Sequence, residues 1–138
     1  MRWVTSRLRR LAGDESGQST VEVALAMPVL LAVLIGAVQL ALVHHAQDVT
    51  ATAVREGARL AAEDGRTADD GATRTREVLR SGLGSLGERF TVDASDDGDT
   101  VTARAEGEYR LIIPWVTGRS IGIEAEAATR KEGFRSGP

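Results

Sequence analysis

The longest apolar stretch of the chain, residues 23–43 (VALAMPVLLAVLIGAVQLALV), contains no charged residue, and only Gln39 is clearly polar. At about 1.5 Å per residue, a helix of this length spans roughly 30 Å, which is the thickness of the hydrocarbon core of a bilayer. A buried core helix is the alternative. The rest of a 138-residue chain, however, offers too little apolar surface to wrap a helix that is apolar on every side. The stretch therefore predicts a membrane-spanning helix.

The charges on either side of this stretch predict its orientation. Four arginines precede it, whereas the following segment opens with His44, His45 and Asp48. The positive-inside rule then places the N-terminus in the cytoplasm and residues beyond about 45 outside. A cleaved secretory signal also combines a basic start with an apolar core, but it needs small residues just after that core, where this chain has VHHAQ. We therefore expect a single-pass protein of the cytoplasmic membrane, with its C-terminus outside.

Composition argues against several function classes. The net charge is −3, with no basic cluster large enough for nucleic-acid binding, and the absence of cysteine excludes disulfides, thiolate metal sites and a cysteine nucleophile. We find no serine–histidine–acid set, phosphate-binding loop or paired carboxylates in a plausible cleft. His44 and His45 are adjacent, so on a helix they point about 100° apart and cannot chelate one ion together. We expect no enzymatic activity, no cofactor and no metal.

The acidic segment DASDDG, residues 93–98, matches the first half of a calcium-binding loop. The twelfth position of that loop requires a bidentate glutamate, and here it would be Arg104. A tight hairpin turn is therefore the favoured interpretation of this segment.

Glu22 is a carboxylate immediately before the apolar stretch. Ser19 and Glu22 have the spacing S-x-x-E, which predicts a capping box in which each side chain satisfies a free backbone N–H at the start of a helix. A carboxylate at this position also interacts favourably with the positive end of the helix dipole. Helix capping is one possible role of Glu22, and it is compatible with others.

Two motifs resemble those of the TadE-like family of tight-adherence pilus systems. The first is GQSTVEVALAMP, from Gly17 to Pro28, and the second is REGAR at residues 55–59, further along the same helix. Val23 departs from the family pattern, which usually has an aromatic residue there. The family positions in the second motif are Arg55, Glu56, Gly57 and Arg59.

The resemblance implies a processing site and an assembly role. Prepilin peptidase would cut between Gly17 and Gln18, which makes Glu22 the fifth residue of the mature chain. In pilin-type assemblies such a glutamate pairs with the N-terminal ammonium of a neighbouring subunit, so the implied partners are other pilin or pseudopilin subunits, the peptidase and the membrane. An unpaired buried charge costs several kcal/mol, which gives this pairing a physical reason.

The remaining sequence predicts a pilin-like α+β fold. We expect a basic leader at residues 1–17, a long helix at 18–63 and an exported α+β region at 64–138. The apolar stripe of the first helix beyond the membrane consists of Leu42, Ala46, Val49, Ala53, Gly57 and Leu60. A second amphipathic helix, after a stop at Gly65, has the stripe Ala72, Thr75, Leu79, Leu83 and Leu86. Alternating apolar residues from Phe90 onward then predict about three antiparallel strands, with a bulge at Gly107.

Two functions follow from these features. The first is a membrane-inserted pseudopilin or minor pilin that takes part in type IV, tight-adherence pilus assembly, either as a component of the extracellular pilus or as an assembly factor. The second is an uncleaved single-pass membrane protein whose outer domain binds a partner or ligand. The start of the mature chain distinguishes them.

Overall fold

The computed structural model describes residues 15–112 and 118–131, with side chains from residue 19 onward. Helix α1 (Glu15–Ala62) is followed by helix α2 (Ala68–Leu83), a 3₁₀-helix (Gly84–Arg89) and the strands β1 (Thr91–Asp96), β2 (Thr100–Arg110) and β3 (Ser120–Arg130). The strands form one antiparallel sheet in the order β1-β2-β3. The predicted α+β fold, with a long apolar helix, a second helix and a three-stranded sheet, is therefore confirmed.

The chain divides into two units, residues 1–38 and 39–138. The described part of the first unit is helical throughout, and its side chains from Ser19 to Val38 are exposed except for the half-buried Ile35. The helix continues through Pro28, although proline lacks the N–H that would bond to the preceding turn. The local unwinding that proline can cause is absent.

The second unit is built on the meander of the three strands. Val101, Ala103 and Ala105 of β2 are fully buried and alternate with partly or fully exposed polar residues. Because side chains of a strand point alternately to its two faces, one face of the sheet packs on the core and the other meets solvent. On the solvent-facing side Arg104 pairs with Glu106 and Glu124. The charges of these carboxylates raise the pKa of Arg104, and Glu106 has the larger effect.

The predicted bulge at Gly107 is wrong. Gly107 pairs with Ile123 in a register that continues without an extra residue, from Glu106 opposite Glu124 to Glu108 opposite Gly122. A Cβ atom at Gly107 would lie 2.6 Å from Cδ2 of Phe90. The glycine is therefore needed because the phenylalanine ring packs directly against the strand.

The buried face of α1 in the second unit is wider than the predicted stripe. Ala46, Ala53 and Gly57 are buried as predicted, but Leu42 remains 42% exposed. Val54, Ala58 and Ala61 were missed and are buried together with Thr50, whose hydroxyl donates to the carbonyl of Ala46 at 2.7 Å. The core joins residues of α1, α2 and the sheet, and a helix with several packing neighbours buries more than one narrow stripe.

The stripe predicted for the second helix is largely confirmed. Ala72, Thr75 and Leu79 are buried, whereas Leu83 is only half-buried, and so is Leu86, which lies in the 3₁₀-helix. Gly65 follows the end of α1 with a φ of 75°, a left-handed conformation that favours glycine. The predicted stop of the first helix is thus confirmed.

The acidic segment at residues 93–98 forms the end of β1 and the turn into β2. The carboxylate of Asp96 accepts from the N–H of Gly98 at 2.9 Å, and that of Asp97 accepts from the N–H of Thr100 at 2.7 Å. A hydrogen bond from the Lys131 side chain is the main reason why the pKa of Asp96 is lowered. These side chains bond to the turn's own backbone, so the hairpin interpretation is confirmed.

Helix α2 begins with a capping box that the sequence analysis missed. The N–H of Asp70 donates to Oγ1 of Thr67 at 3.2 Å, and the N–H of Thr67 donates to Oδ2 of Asp70 at 2.9 Å. The Thr67 hydroxyl also donates to Oδ2 of Asp70, at 3.0 Å. The pKa of Asp70 is held below its ordinary value by the bond from the Thr67 backbone and, to a lesser extent, by the bond from the Thr67 hydroxyl. The spacing T-x-x-D was the available signal, with aspartate in place of the usual glutamate.

We expect Thr67→Ala to lower the free energy of unfolding by about 1 kcal/mol, because one backbone N–H of α2 loses its acceptor. Urea unfolding of the full chain in detergent micelles measures this change.

A lowered folded-state pKa stabilises the fold above the ordinary pKa, and this contribution is lost as the pH falls through the lowered value. Asp70→Asn should therefore flatten the acid limb of the stability profile. An unchanged profile would contradict a role for the Asp70 charge.

Candidate functional site

The candidate functional site is the exposed apolar surface of α1, together with the carboxylate in its second turn. Among the described residues, α1 is the one helix that is long enough and apolar enough to cross a membrane. An 18-residue window of this helix has a mean hydropathy of 2.5, and none of its residues is buried. Val21, Leu25 and Leu30 are 60%, 70% and 64% exposed. Leaving such a surface in water is unfavourable, so it requires a lipid or protein environment.

Glu22 interrupts this apolar surface. It lies between Val21 and Val23, which are 60% and 57% exposed, and its own side chain is exposed. Between residues 19 and 47 it is the one acidic or basic residue besides the two histidines. None of the ion pairs of the described residues includes it. Within the described residues, this carboxylate is therefore exposed and has no ion-pair partner.

Gly17, Gln18 and Ser19 lie inside α1, because the helix begins at Glu15. A capping box needs Ser19 at the N-cap, outside the first turn, so the predicted cap is not formed in the untrimmed chain. The physical reason is that the upstream residues continue the helix and supply carbonyls to these N–H groups. Removal of residues 1–17 would bring Ser19 close to a new helix end, where the capping role stays a prediction.

Gly57 of the REGAR segment lies where α1 crosses α2. A Cβ atom at this position would lie 1.9 Å from Oγ1 of Thr75 and 2.6 Å from the carbonyl oxygen of Gly71. A Cβ atom at Gly71 would in turn lie 2.7 Å from the carbonyl oxygen of Gly57. The two helix backbones are in contact here, and only two facing glycines permit this distance.

The charged residues of REGAR flank this glycine. Arg55 and Arg59 are exposed, and Glu56 is half-buried. The i,i+3 spacing of Glu56 and Arg59 allows them to pair, but the carboxylate of Glu56 instead lies 3.9 Å from the guanidinium of Arg74 on α2. The segment thus helps to attach α2 to α1, and it brings together no set of groups suited to catalysis.

Gln39 makes a long-range hydrogen bond that the sequence did not predict. It is 9% exposed, and its Oε1 accepts a hydrogen bond at 3.2 Å from the backbone N–H of Ile112. Ile112 lies two residues after the end of β2 at Arg110. The available signal was its position as the one clearly polar residue of an apolar stretch. Such a residue needs a hydrogen-bond partner, but the sequence does not indicate which one.

The described residues hold no cluster of histidine and carboxylate side chains that could bind a metal ion. A shallow cleft on the outer face of the sheet is lined by residues of both charges, including Arg89, Glu106, Arg110 and Glu124. Its opposite charges lie side by side, so the cleft does not select one class of charged ligand.

Comparison with known proteins identifies one family match. The model of the family described as TadE-like protein matches residues 17–59, which include Glu22, the apolar surface and REGAR. The resemblance stated above is thereby confirmed, and it suggests a pilin-like protein associated with a tight-adherence pilus. No curated protein matches the chain. No solved structure matches it either.

Proposed function

We propose that this chain, with its TadE-like segment at residues 17–59, is a membrane-inserted pseudopilin or minor pilin that takes part in the assembly of a type IV, tight-adherence pilus. The observation that carries the proposal is the exposed apolar surface of α1 with one carboxylate in its second turn. A helix that only crossed the membrane would need no acidic residue there, whereas a subunit that leaves the bilayer for a fibre needs a group that directs docking.

The apolar surface serves two environments in this mechanism. In the bilayer it faces acyl chains, and in the fibre it faces the equivalent surfaces of neighbouring subunits, so transfer between them exposes little apolar area to water. Dispersion and apolar burial do not by themselves specify a register between two smooth helices. A paired charge does, because a mismatched register leaves it without a partner in an apolar environment.

Glu22 is the residue that supplies this charge. Once prepilin peptidase has cut between Gly17 and Gln18, the new N-terminal ammonium is on Gln18, four residues before Glu22 along the chain. We propose that the ammonium of one subunit pairs with Glu22 of another. The N-terminus would lie in the cytoplasm and the C-terminus outside, with the membrane, the peptidase and other pilin subunits as partners.

The second unit contains the exported part of the chain in this proposal. The Gly57–Gly71 crossing and the Glu56–Arg74 pair attach α2 to α1, so that α2 and the α1 segment from Gln39 onward form one packed body with the sheet. REGAR thus has a structural role in the proposed function, and assembly depends on the first motif.

The start of the mature chain tests the proposal. We expect N-terminal sequencing of the protein from the membrane fraction to give Gln18 as the first residue, and a Gly17→Leu variant to keep Met1, because a bulky side chain obstructs the peptidase. Cells that lack prepilin peptidase are the matched control. A mature chain that starts at Met1 in wild-type cells would contradict the proposal and favour the uncleaved single-pass protein.

A further inference from the structure

In the described part of the chain, one large exposed apolar side chain lies outside the long helix. Among the described residues, the large hydrophobic side chains on the surface belong to α1 between Val21 and Leu42, with the exception of Ile112, which is 75% exposed. Ile112 lies two residues after Arg110, the last residue of β2, at the end of the sheet where the β2–β3 connection begins. We call the described residues 110–112 and 118–120 the hairpin tip.

A direct hydrogen bond gives the level of the hairpin tip along α1. The N–H of Ile112 donates to the side chain of Gln39, at 3.2 Å, and Gln39 belongs to the apolar stretch at residues 23–43. Leu40 and Leu42, the next outward-facing apolar residues of this unit, are 59% and 42% exposed. The tip is therefore level with a segment of α1 that is itself suited to lipid.

The charges of the hairpin tip fit the surface of a bilayer. Arg110 and Arg119 are exposed. Their two strands are held together here by the N–H of Leu111, which donates to the carbonyl of Arg119 at 3.1 Å. The tip contains these two cations and no acidic residue, within a chain whose net charge is −3. An apolar end flanked by arginines is suited to the boundary between acyl chains and anionic headgroups.

We propose that the hairpin tip inserts into the interface of the membrane that α1 crosses, with Ile112 among the outer acyl segments and Arg110 and Arg119 at anionic phospholipid headgroups. The proposal rests on the membrane insertion included in the proposed function. Gln39 then marks the level of the interface on α1. His44 and His45 lie about one turn and a half further along the helix, roughly 8 Å, at headgroup height.

Single-cysteine labelling tests the insertion. The chain has no cysteine, so Ile112→Cys carries one environment-sensitive fluorophore, and Ser95→Cys is the matched control. Ser95 is exposed and pairs with Thr102, eight residues along β2 from Arg110 and thus roughly 26 Å from it. The full-length protein is reconstituted in vesicles of phosphatidylcholine with or without phosphatidylglycerol.

We expect the label at 112 to emit at shorter wavelength than the label at 95, to be several-fold less accessible to iodide, and to be quenched by lipids with a nitroxide near the headgroup. Phosphatidylglycerol should increase this protection, and Arg110→Gln with Arg119→Gln should remove the increase. Equal protection with and without phosphatidylglycerol would overturn the headgroup contact.

Two further outcomes would overturn the insertion itself. Equal iodide access at both labels, in protein that resists extraction by alkaline carbonate, would show a tip in water and leave the proposed function intact. Protection from iodide without quenching by lipid would mean that protein covers the tip. Extraction of the chain by carbonate would instead contradict the membrane span, and with it both proposals.

Discussion

Glu22→Ala is expected to abolish pilus formation while the protein remains inserted in the membrane. Removing the carboxylate makes the segment before the apolar stretch more apolar, so insertion is not impaired. In the proposed fibre, however, the N-terminal ammonium of a neighbouring subunit loses its partner. An uncompensated buried charge costs about 3–5 kcal/mol, and at 1.4 kcal/mol per factor of ten this corresponds to at least a hundredfold loss of assembled subunits.

Glu22→Gln separates assembly from helix capping. Glutamine can replace glutamate in a capping box but carries no charge. If the charge directs assembly, the glutamine variant fails like the alanine variant. If capping is the role, it retains wild-type pili.

Glu63→Ala is the matched control for the loss of one acidic residue, because Glu63 is exposed near the end of α1. Electron microscopy of cells, with carbonate-resistant membrane protein measured in parallel, reads out both properties. Normal pili in Glu22→Ala cells would contradict the assembly role of the charge.

Gly57→Ala is expected to destabilise the second unit, although alanine is the better helix former. The new Cβ atom would overlap Oγ1 of Thr75 and the carbonyl oxygen of Gly71, at 1.9 and 2.6 Å, and backbone cannot move aside as a flexible side chain can. Overpacking of this kind costs about 3 kcal/mol, whereas the helix propensity of alanine returns about 1 kcal/mol. We expect a net loss of about 2 kcal/mol in the free energy of unfolding.

Gly36→Ala provides the control on the same helix. No atom lies within 4 Å of a Cβ atom at Gly36, so this substitution should not lower stability. The double variant Gly57→Ala, Thr75→Ala should recover only part of the loss, because the overlap with the Gly71 carbonyl remains. Urea unfolding of the full chains in detergent micelles measures all three. A Gly57→Ala protein as stable as Gly36→Ala would contradict the close crossing.

Local chemistry in the sequence was enough to predict the elements of the fold. An apolar stretch of bilayer length specifies a helix irrespective of what surrounds it. Gly65 predicts the end of that helix through its backbone preference, and the alternation from Phe90 onward predicts strands through side-chain periodicity. The motif at residues 17–28 and REGAR were likewise visible, because each is continuous in sequence and matches the family over residues 17–59.

The contacts between elements could not be predicted in this way. The sequence marked Gly57 as a family position of REGAR, but not that Gly71 is the backbone it meets. Gly107 had the sequence signal of a bulge, and only the position of Phe90 shows that it accommodates a ring. Gln39 and Ile112 are 73 residues apart along the chain, and no local pattern joins a side chain to a backbone N–H at that distance. Periodicity reports which face of an element is apolar, whereas the partner of that face depends on how all the elements pack together, and that packing is a property of the folded chain as a whole.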